Sequence, residues 1–228
     1  MKQMTRRELI KKTGTLGGVF ITGNPLIAGL RDFCGLTPAQ TEGPFYPVVD
    51  QTDKDWDLTQ VKGKSKSAKG QVVWITGTVT DENCRPVEKA LVEIWQAAFS
   101  GRYHHPGDDS GLELDPNFQY WGKSVTDPLG QYQFKTIVPG HYPADAHWIR
   151  PPHIHYKVFA TGFHDLTTQM YFSGSSFIEE KGKFIDELNR KDRVLNQLSS
   201  QEQQKVIVTF SAKENDLRGT FDITLKRI

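Results

Sequence analysis

The chain has 228 residues, of which 37% are hydrophobic and 24% charged, with a formal net charge of +1. That length and apolar content can fill one core and imply a single folded domain. Near-neutrality without a clustered basic stripe argues against nucleic acid as the main ligand. Lys62, Lys64, Lys66 and Lys69 lie in a Ser- and Gly-containing stretch that reads as a solvated linker.

Residues 1–30 differ in character from the rest. Arg6-Arg7 stands directly before a weakly apolar, Gly-containing run from Thr13 to Leu30, the pattern of a twin-arginine export signal for bacterial proteins that cross already folded. Asn24 and Pro25 interrupt the run, which falls short of the ~20 apolar residues a membrane span needs. The mature protein is therefore expected in the periplasm or outside the cell, with no membrane span.

Residues 31–70 read as an extended arm that packs through Phe45, Tyr46 and Trp56, either on its own domain or on a neighbouring subunit of a homo-oligomer. Cys34 in the arm and Cys84 in the turn Asp81-Glu82-Asn83-Cys84-Arg85-Pro86 make an even count, which in an exported chain permits one disulfide. Neither has a CxxC or CxH partner nearby, which argues against a thiolate metal site.

In residues 71–228, apolar alternation marks strands near Val72–Val79, Leu91–Trp95, Tyr132–Ile137, Ile154–Ala160, Thr168–Phe172, Lys205–Phe210 and Thr220–Leu225. Asp127-Pro128-Leu129-Gly130, Val138-Pro139-Gly140 and Ala160-Thr161-Gly162 supply the turn residues between them. Helical spacing is confined to Phe177–Asn189, with a short turn at Arg193–Gln201. The expected fold is all-β, a single β-sandwich of two antiparallel sheets with a long N-terminal arm and short C-terminal helices.

The chemistry concentrates at His153 and His155. Positions i and i+2 on a strand share a face, so both imidazoles can reach one ion. In isolation such a pair is more often two hydrogen-bonded strand histidines, but Trp148, Arg150 and the stiff Pro151-Pro152 lead into it. Tyr103 in Ser100-Gly101-Arg102-Tyr103 and Tyr142 in Pro139-Gly140-His141-Tyr142-Pro143 add phenols, which alone would read as rim residues. A free phenol titrates near ~10, so tyrosine becomes a ligand only beside a strongly charged Lewis acid, which favours ferric iron over zinc. Tyr120, Tyr132, Tyr156 and Tyr171 read as packing residues. His104, His105, His141, His147 and His164 read as surface or supporting groups.

With Tyr103, Tyr142, His153 and His155 in this order, the chain resembles the intradiol ring-cleavage dioxygenases, the non-haem Fe(III) enzymes that include the protocatechuate and catechol dioxygenases. Thr37-Pro38-Ala39-Gln40-Thr41-Glu42-Gly43-Pro44-Phe45-Tyr46, Ala90–Gln96, Gly130–Phe134 and Thr168–Phe172 fit the same family, so the resemblance runs from about residue 36 to the C-terminus. It implies one Fe(III) per chain, with Tyr103 and His153 as equatorial and Tyr142 and His155 as axial ligands. It also implies Arg150 and Gln169 beside the aromatic substrate, and a pocket wall from Gly43, Pro44 and Phe45. A catechol would chelate through both oxygens and displace Tyr142, and O2 would cleave the ring between the hydroxylated carbons to a muconate-type diacid. Ala144, two residues after Tyr142, departs from the large aromatic residue of protocatechuate enzymes. Lack of a long helical linker favours a protocatechuate-type single sandwich. Two other classes compete: a non-catalytic extracellular binding module, which would have no reason to converge two phenols on an HxH pair, and a zinc hydrolase, for which no carboxylate stands as general base near that pair.

Overall fold

The computed structural model describes residues 34–51 and 53–228, and the export-signal expectation for residues 1–30 lies outside the described residues. The first long strand, β1 (Val72–Asp81), alternates buried and more exposed positions as its sequence predicts. It is followed by β2 (Leu91–Trp95), β3 (Trp121–Val125), β4 (Gln131–Ile137), the short pair β5 (Tyr142–Asp145) and β6 (Trp148–Arg150), then β7 (His153–Phe159) and β8 (Leu166–Phe172). Helices α1 (Glu179–Lys191) and α2 (Ser200–Val206) precede β9 (Ile207–Val208), β10 (Ser211–Lys213), β11 (Asp216–Thr220) and β12 (Ile223–Leu225). No helix among the described residues is long and apolar enough to cross a membrane.

Two five-stranded sheets carry the fold. One runs β10-β11-β1-β12 with β4 on the other edge of β1, and the second runs β3-β2-β7-β8-β9. Side chains from both meet in one buried cluster that includes Val73, Ile75 and Phe134 from the first sheet and Ile94, Ile154, Tyr156 and Met170 from the second. Tyr156 lies between Phe134 (6.4 Å, edge-on) and Phe221 (4.8 Å). Burying each such side chain is worth roughly 1.5–3 kcal/mol, so the core pins the strands that carry the site.

The chain is mostly β, as expected, but the sheets are mixed rather than antiparallel throughout. β1 pairs in parallel with both β11 and β12, and β8 with β9. The C-terminal strands return after α1 and α2, and only connections of that length allow parallel neighbours. A second correction concerns Lys205–Phe210, where alternation predicts a strand. The first part is the end of α2, started by a capping box in which Ser199 accepts from the Glu202 N–H and Glu202 accepts from the Ser199 N–H. The predicted strand Thr220–Leu225 is broken at Phe221-Asp222, where the buried Phe221 donates its N–H to Thr76 O (2.8 Å). Strands β3, β5, β6, β10 and all of β11 but Thr220 were not expected from alternation.

The arm wraps its own domain. Cys34 and Cys84 form a disulfide. Gln40 donates its N–H to Thr167 O (2.8 Å), Thr37 to Thr224 O (3.2 Å) and Leu58 to Lys135 O (2.8 Å). Lys62, Lys64 and Lys66 are exposed, and Lys69 pairs with Glu113 (3.0 Å).

Candidate metal centre

The sequence His-Ile-His-Tyr-Lys-Val-Phe of β7 explains the site's placement. Ile154, Tyr156 and Val158 point into the core at 0% exposure, so His153 and His155 share the opposite face, each 2% exposed. β7 lies between β2 and β8, which fixes its backbone on both sides. Tyr103 lies on the connection after β2, its N–H donated to the buried Asp108 carboxylate (2.6 Å). Tyr142 opens the β5–β6 ribbon, directly across from Arg150. Gly101 permits the two tyrosine-bearing segments to approach, because a Cβ there would come within 2.5 Å of His141 O.

These four side chains converge. His153 Nε2 is 3.2 Å from His155 Nε2 and 3.4 Å from Tyr103 Oη, and the Tyr103 and Tyr142 rings meet edge-on at 5.4 Å. His153 Nδ1 lies 2.7 Å from Pro151 O, which only accepts, so Nδ1 carries the proton and Nε2 presents a lone pair. Burial, with the Arg150 charge nearby, holds both imidazoles well below their ordinary pKa and hence neutral. Burial, reinforced by Tyr142, also pushes the Tyr103 phenol well up, while for Tyr142 burial raises it and Arg150 offsets part of the rise.

Arg150 is buried and held from three sides. It donates from Nε to Asp192 (2.7 Å) and from one terminal nitrogen to Gln169 Oε1 (2.7 Å) and Tyr171 Oη (3.2 Å). Gln169 Oε1 accepts a second bond from Tyr171 (3.0 Å), and Gln169 Nε2 donates to Thr41 O (2.9 Å). Both lone pairs of that oxygen are used, which leaves one Nε2 hydrogen for a ligand. The arm closes over the centre. Phe45 lies 4.7 Å from Tyr103 and 6.2 Å from Tyr142. Gly43, with φ +72°, lies so close that a Cβ would be 3.3 Å from His155 Cε1; Pro44 is exposed.

The donor set fits a ferric ion. Among the described residues no group of three or more His, Cys, Asp or Glu is placed to hold a metal, so two imidazoles could be completed only by the phenols. Two neutral imidazole nitrogens facing each other at 3.2 Å need either a proton or a cation between them. Phenols this buried would ionise only for a cation of high charge. His104, His141, His147 and His164 are exposed, and His105 sits beside Phe45 (5.7 Å). Three supporting residues escaped sequence reasoning: Asp192, Asp108 and the indole of Trp95 stacked on His155. Tyr171, expected only to pack, also belongs to the Arg150 network. A cavity of about 670 Å³ lined by Val49, Leu114, Phe118 and Tyr120 lies apart from the four converging side chains.

The chain is similar to known dioxygenases. A family model described as "Dioxygenase" matches residues 41–227. The protocatechuate 3,4-dioxygenase beta chain of Burkholderia cepacia is 43% identical over 139 residues, 59% of this chain and 59% of that one. Chlorocatechol 1,2-dioxygenase of Cupriavidus pinatubonensis is 30% identical over 187 residues, 75% of this chain and 68% of that one. The match thus spans under two thirds of the first relative's length. Among solved structures, the dioxygenase domain of a dioxygenase carbohydrate-binding protein fusion from Streptomyces sp. SirexAA-E shares 28% identity at a TM-score of 0.58, covering 85% of this chain and 100% of that one. An intradiol ring-cleavage dioxygenase from Tetranychus urticae, at 24% identity and TM-score 0.62 over 85% of this chain and 95% of that one, shares the fold. The chain belongs to the intradiol dioxygenase family.

Proposed function

We propose that this protein is an Fe(III)-dependent intradiol dioxygenase that cleaves a catecholic ring with O2 to a muconate-type diacid. The observation that carries the reading is that His153 Nε2 has the neutral His155 Nε2 at 3.2 Å and the buried Tyr103 Oη at 3.4 Å. Tyr103, Tyr142, His153 and His155 would hold the iron, one per chain. Bound there, the metal would supply Lewis acidity and a template for the two catechol oxygens.

The chain's own groups supply the rest. Tyr142 sits at the rim, 8% exposed, where its phenolate oxygen can leave and take up a catechol proton. Arg150 brings a permanent positive charge that would stabilise electron density shifting onto the substrate ring. Gln169 fixes that guanidinium and ties it to the arm through Thr41. Gly43, Pro44 and Phe45 would form one pocket wall. Ala144 is exposed and small, leaving that side of the mouth open to a substituted ring.

The two sheets would form the layers of a sandwich behind this centre, with residues 31–70 as arm and 71–228 as catalytic domain. Export through the Arg6-Arg7 signal is supported by the Cys34–Cys84 disulfide, a bond suited to oxidising compartments. Self-association belongs to the same proposal. Reconstitution with ferric ion, followed by visible spectroscopy and O2 uptake on a panel of catechol, chlorocatechol and protocatechuate, tests the reading. A tyrosinate-to-iron absorption band and one O2 consumed per ring opened are expected. A colourless protein after reconstitution would overturn it.

A further inference from the structure

The two histidines are held in different ways. His153 is fixed by its Nδ1 bond to Pro151 O, the kind of outer-sphere hydrogen bond that usually orients a metal-binding imidazole. His155 Nδ1 is buried and has no hydrogen-bond partner among the described residues. The χ2 torsion of histidine is soft, so something other than a hydrogen bond at Nδ1 must help set this ring's plane.

Trp95 meets that need. It is the cross-strand partner of His155 in the β2–β7 register, and the indole stacks on the imidazole at 4.7 Å and 11°. Trp95 is itself wedged by Tyr46, edge-on at 5.0 Å and 89°. Tyr46 donates its hydroxyl to Glu93 (2.9 Å), which lies two residues before Trp95 and so on the same strand face. Glu93 is buried and clamped by Lys123 (2.7 Å), and Lys157 lies 4.5 Å over the Tyr46 ring. On the remaining side, the Gly43 backbone closes against the edge of the imidazole.

We infer that Trp95, wedged by Tyr46 on Glu93, is the positioning residue that sets the plane of His155 in place of the hydrogen bond that His153 enjoys. The inference rests on the iron-centre reading above. It makes an arm residue, Tyr46, a determinant of ligand geometry two contacts away from His155.

The experiment compares the parent, Trp95→Phe, Trp95→Leu and Tyr46→Leu, each reconstituted with ferric ion. Two readouts are the position of the tyrosinate-to-iron band and the rate of iron transfer to a competing chelator. Trp95→Leu is expected to release iron about 10- to 100-fold faster with a displaced band, while Trp95→Phe, which keeps a stacking face, stays close to the parent. Should Trp95→Leu fail to fold, Tyr46→Leu, at a half-buried position, carries the test with the same expected direction. A folded Trp95→Leu or Tyr46→Leu with parental band and release rate would overturn the inference, as would a Trp95→Phe as damaged as Trp95→Leu. A parent that takes up no iron would instead sink the iron-centre reading itself.

Discussion

The imidazole half and the phenol half of the centre are built differently. His153 and His155 stand on β7, which pairs with β8 from His153 and with β2 from His155 onward and is backed by fully buried Ile154 and Tyr156. Tyr103 and Tyr142 stand on connecting segments, one after β2 and one at the start of the two-stranded ribbon. The contrast teaches that one pair of proposed donors stands on a strand inside a five-stranded sheet, whereas the other stands on a connection and at the start of a two-stranded ribbon. The proposed exchange of the Tyr142 oxygen for substrate oxygens would draw on this division.

The sharpest way to break the comparison is His155→Ala, which removes a rigid neutral donor. Iron content after gel filtration should fall to background, and full occupancy would show that the imidazole half does not anchor the metal. Tyr142→Phe should do the opposite: iron content stays near parental while turnover falls by roughly 10²-fold or more, the scale of losing a proton-transfer group. Unchanged turnover in that variant would remove Tyr142 from its exchanging role.

Asp192→Ala probes the support behind the ribbon. It strands the Arg150 charge and removes the carboxylate that accepts from the Val194 and Leu195 N–H groups (3.1 and 2.8 Å). A loss of about 3–5 kcal/mol in denaturant unfolding is expected for breaking a buried pair. Next comes Cys34→Ser. Opening a disulfide that spans a sequence separation of 50 should lower stability by about 2–4 kcal/mol, and reductant should then have no further effect on that variant.

The smallest effect is electrostatic and far from the centre. Burial alone would raise the Asp81 carboxyl, but the N–H groups of Arg85 and Asn83 and the Arg227 guanidinium (2.8 Å) hold it below the ordinary carboxylate value. A depressed folded pKa stabilises above the unfolded value of ~3.9 and is lost as pH falls through the folded one. Parent and Arg227→Met should therefore differ by about 1 kcal/mol or less near neutrality, because Arg227 is half exposed. That difference should vanish in strong acid, as followed by thermal unfolding.

Much of this was legible in the chain itself. Strands β1, β2, β4, β7 and β8 follow from alternation, whereas the four converging residues stood out through the family resemblance, because the HxH pair and the two tyrosines alone read more readily as hydrogen-bonded strand and rim residues. What was not legible depends on pairing between distant segments. Asp192 reaches Arg150 across 42 positions, and nothing local marks it. Trp95 lies in an anticipated strand, yet only the β2–β7 register puts its ring on His155. The strand expected at Lys205–Phe210 is cut to Ile207–Val208 for a different reason: Val206, Val208 and Phe210 alternate, but the Ser199–Glu202 capping box just upstream starts a helix that runs through Val206.

Strand β7 also determines when the centre can come into being. A slip of one residue against β2 or β8 would exchange every inward and outward side chain, sending Ile154 and Tyr156 to the ligand face and both imidazoles among the hydrocarbon side chains. No half-registered chain can therefore present the paired nitrogens, and the proposed capture of an ion would have to wait until the sheet has locked its alignment.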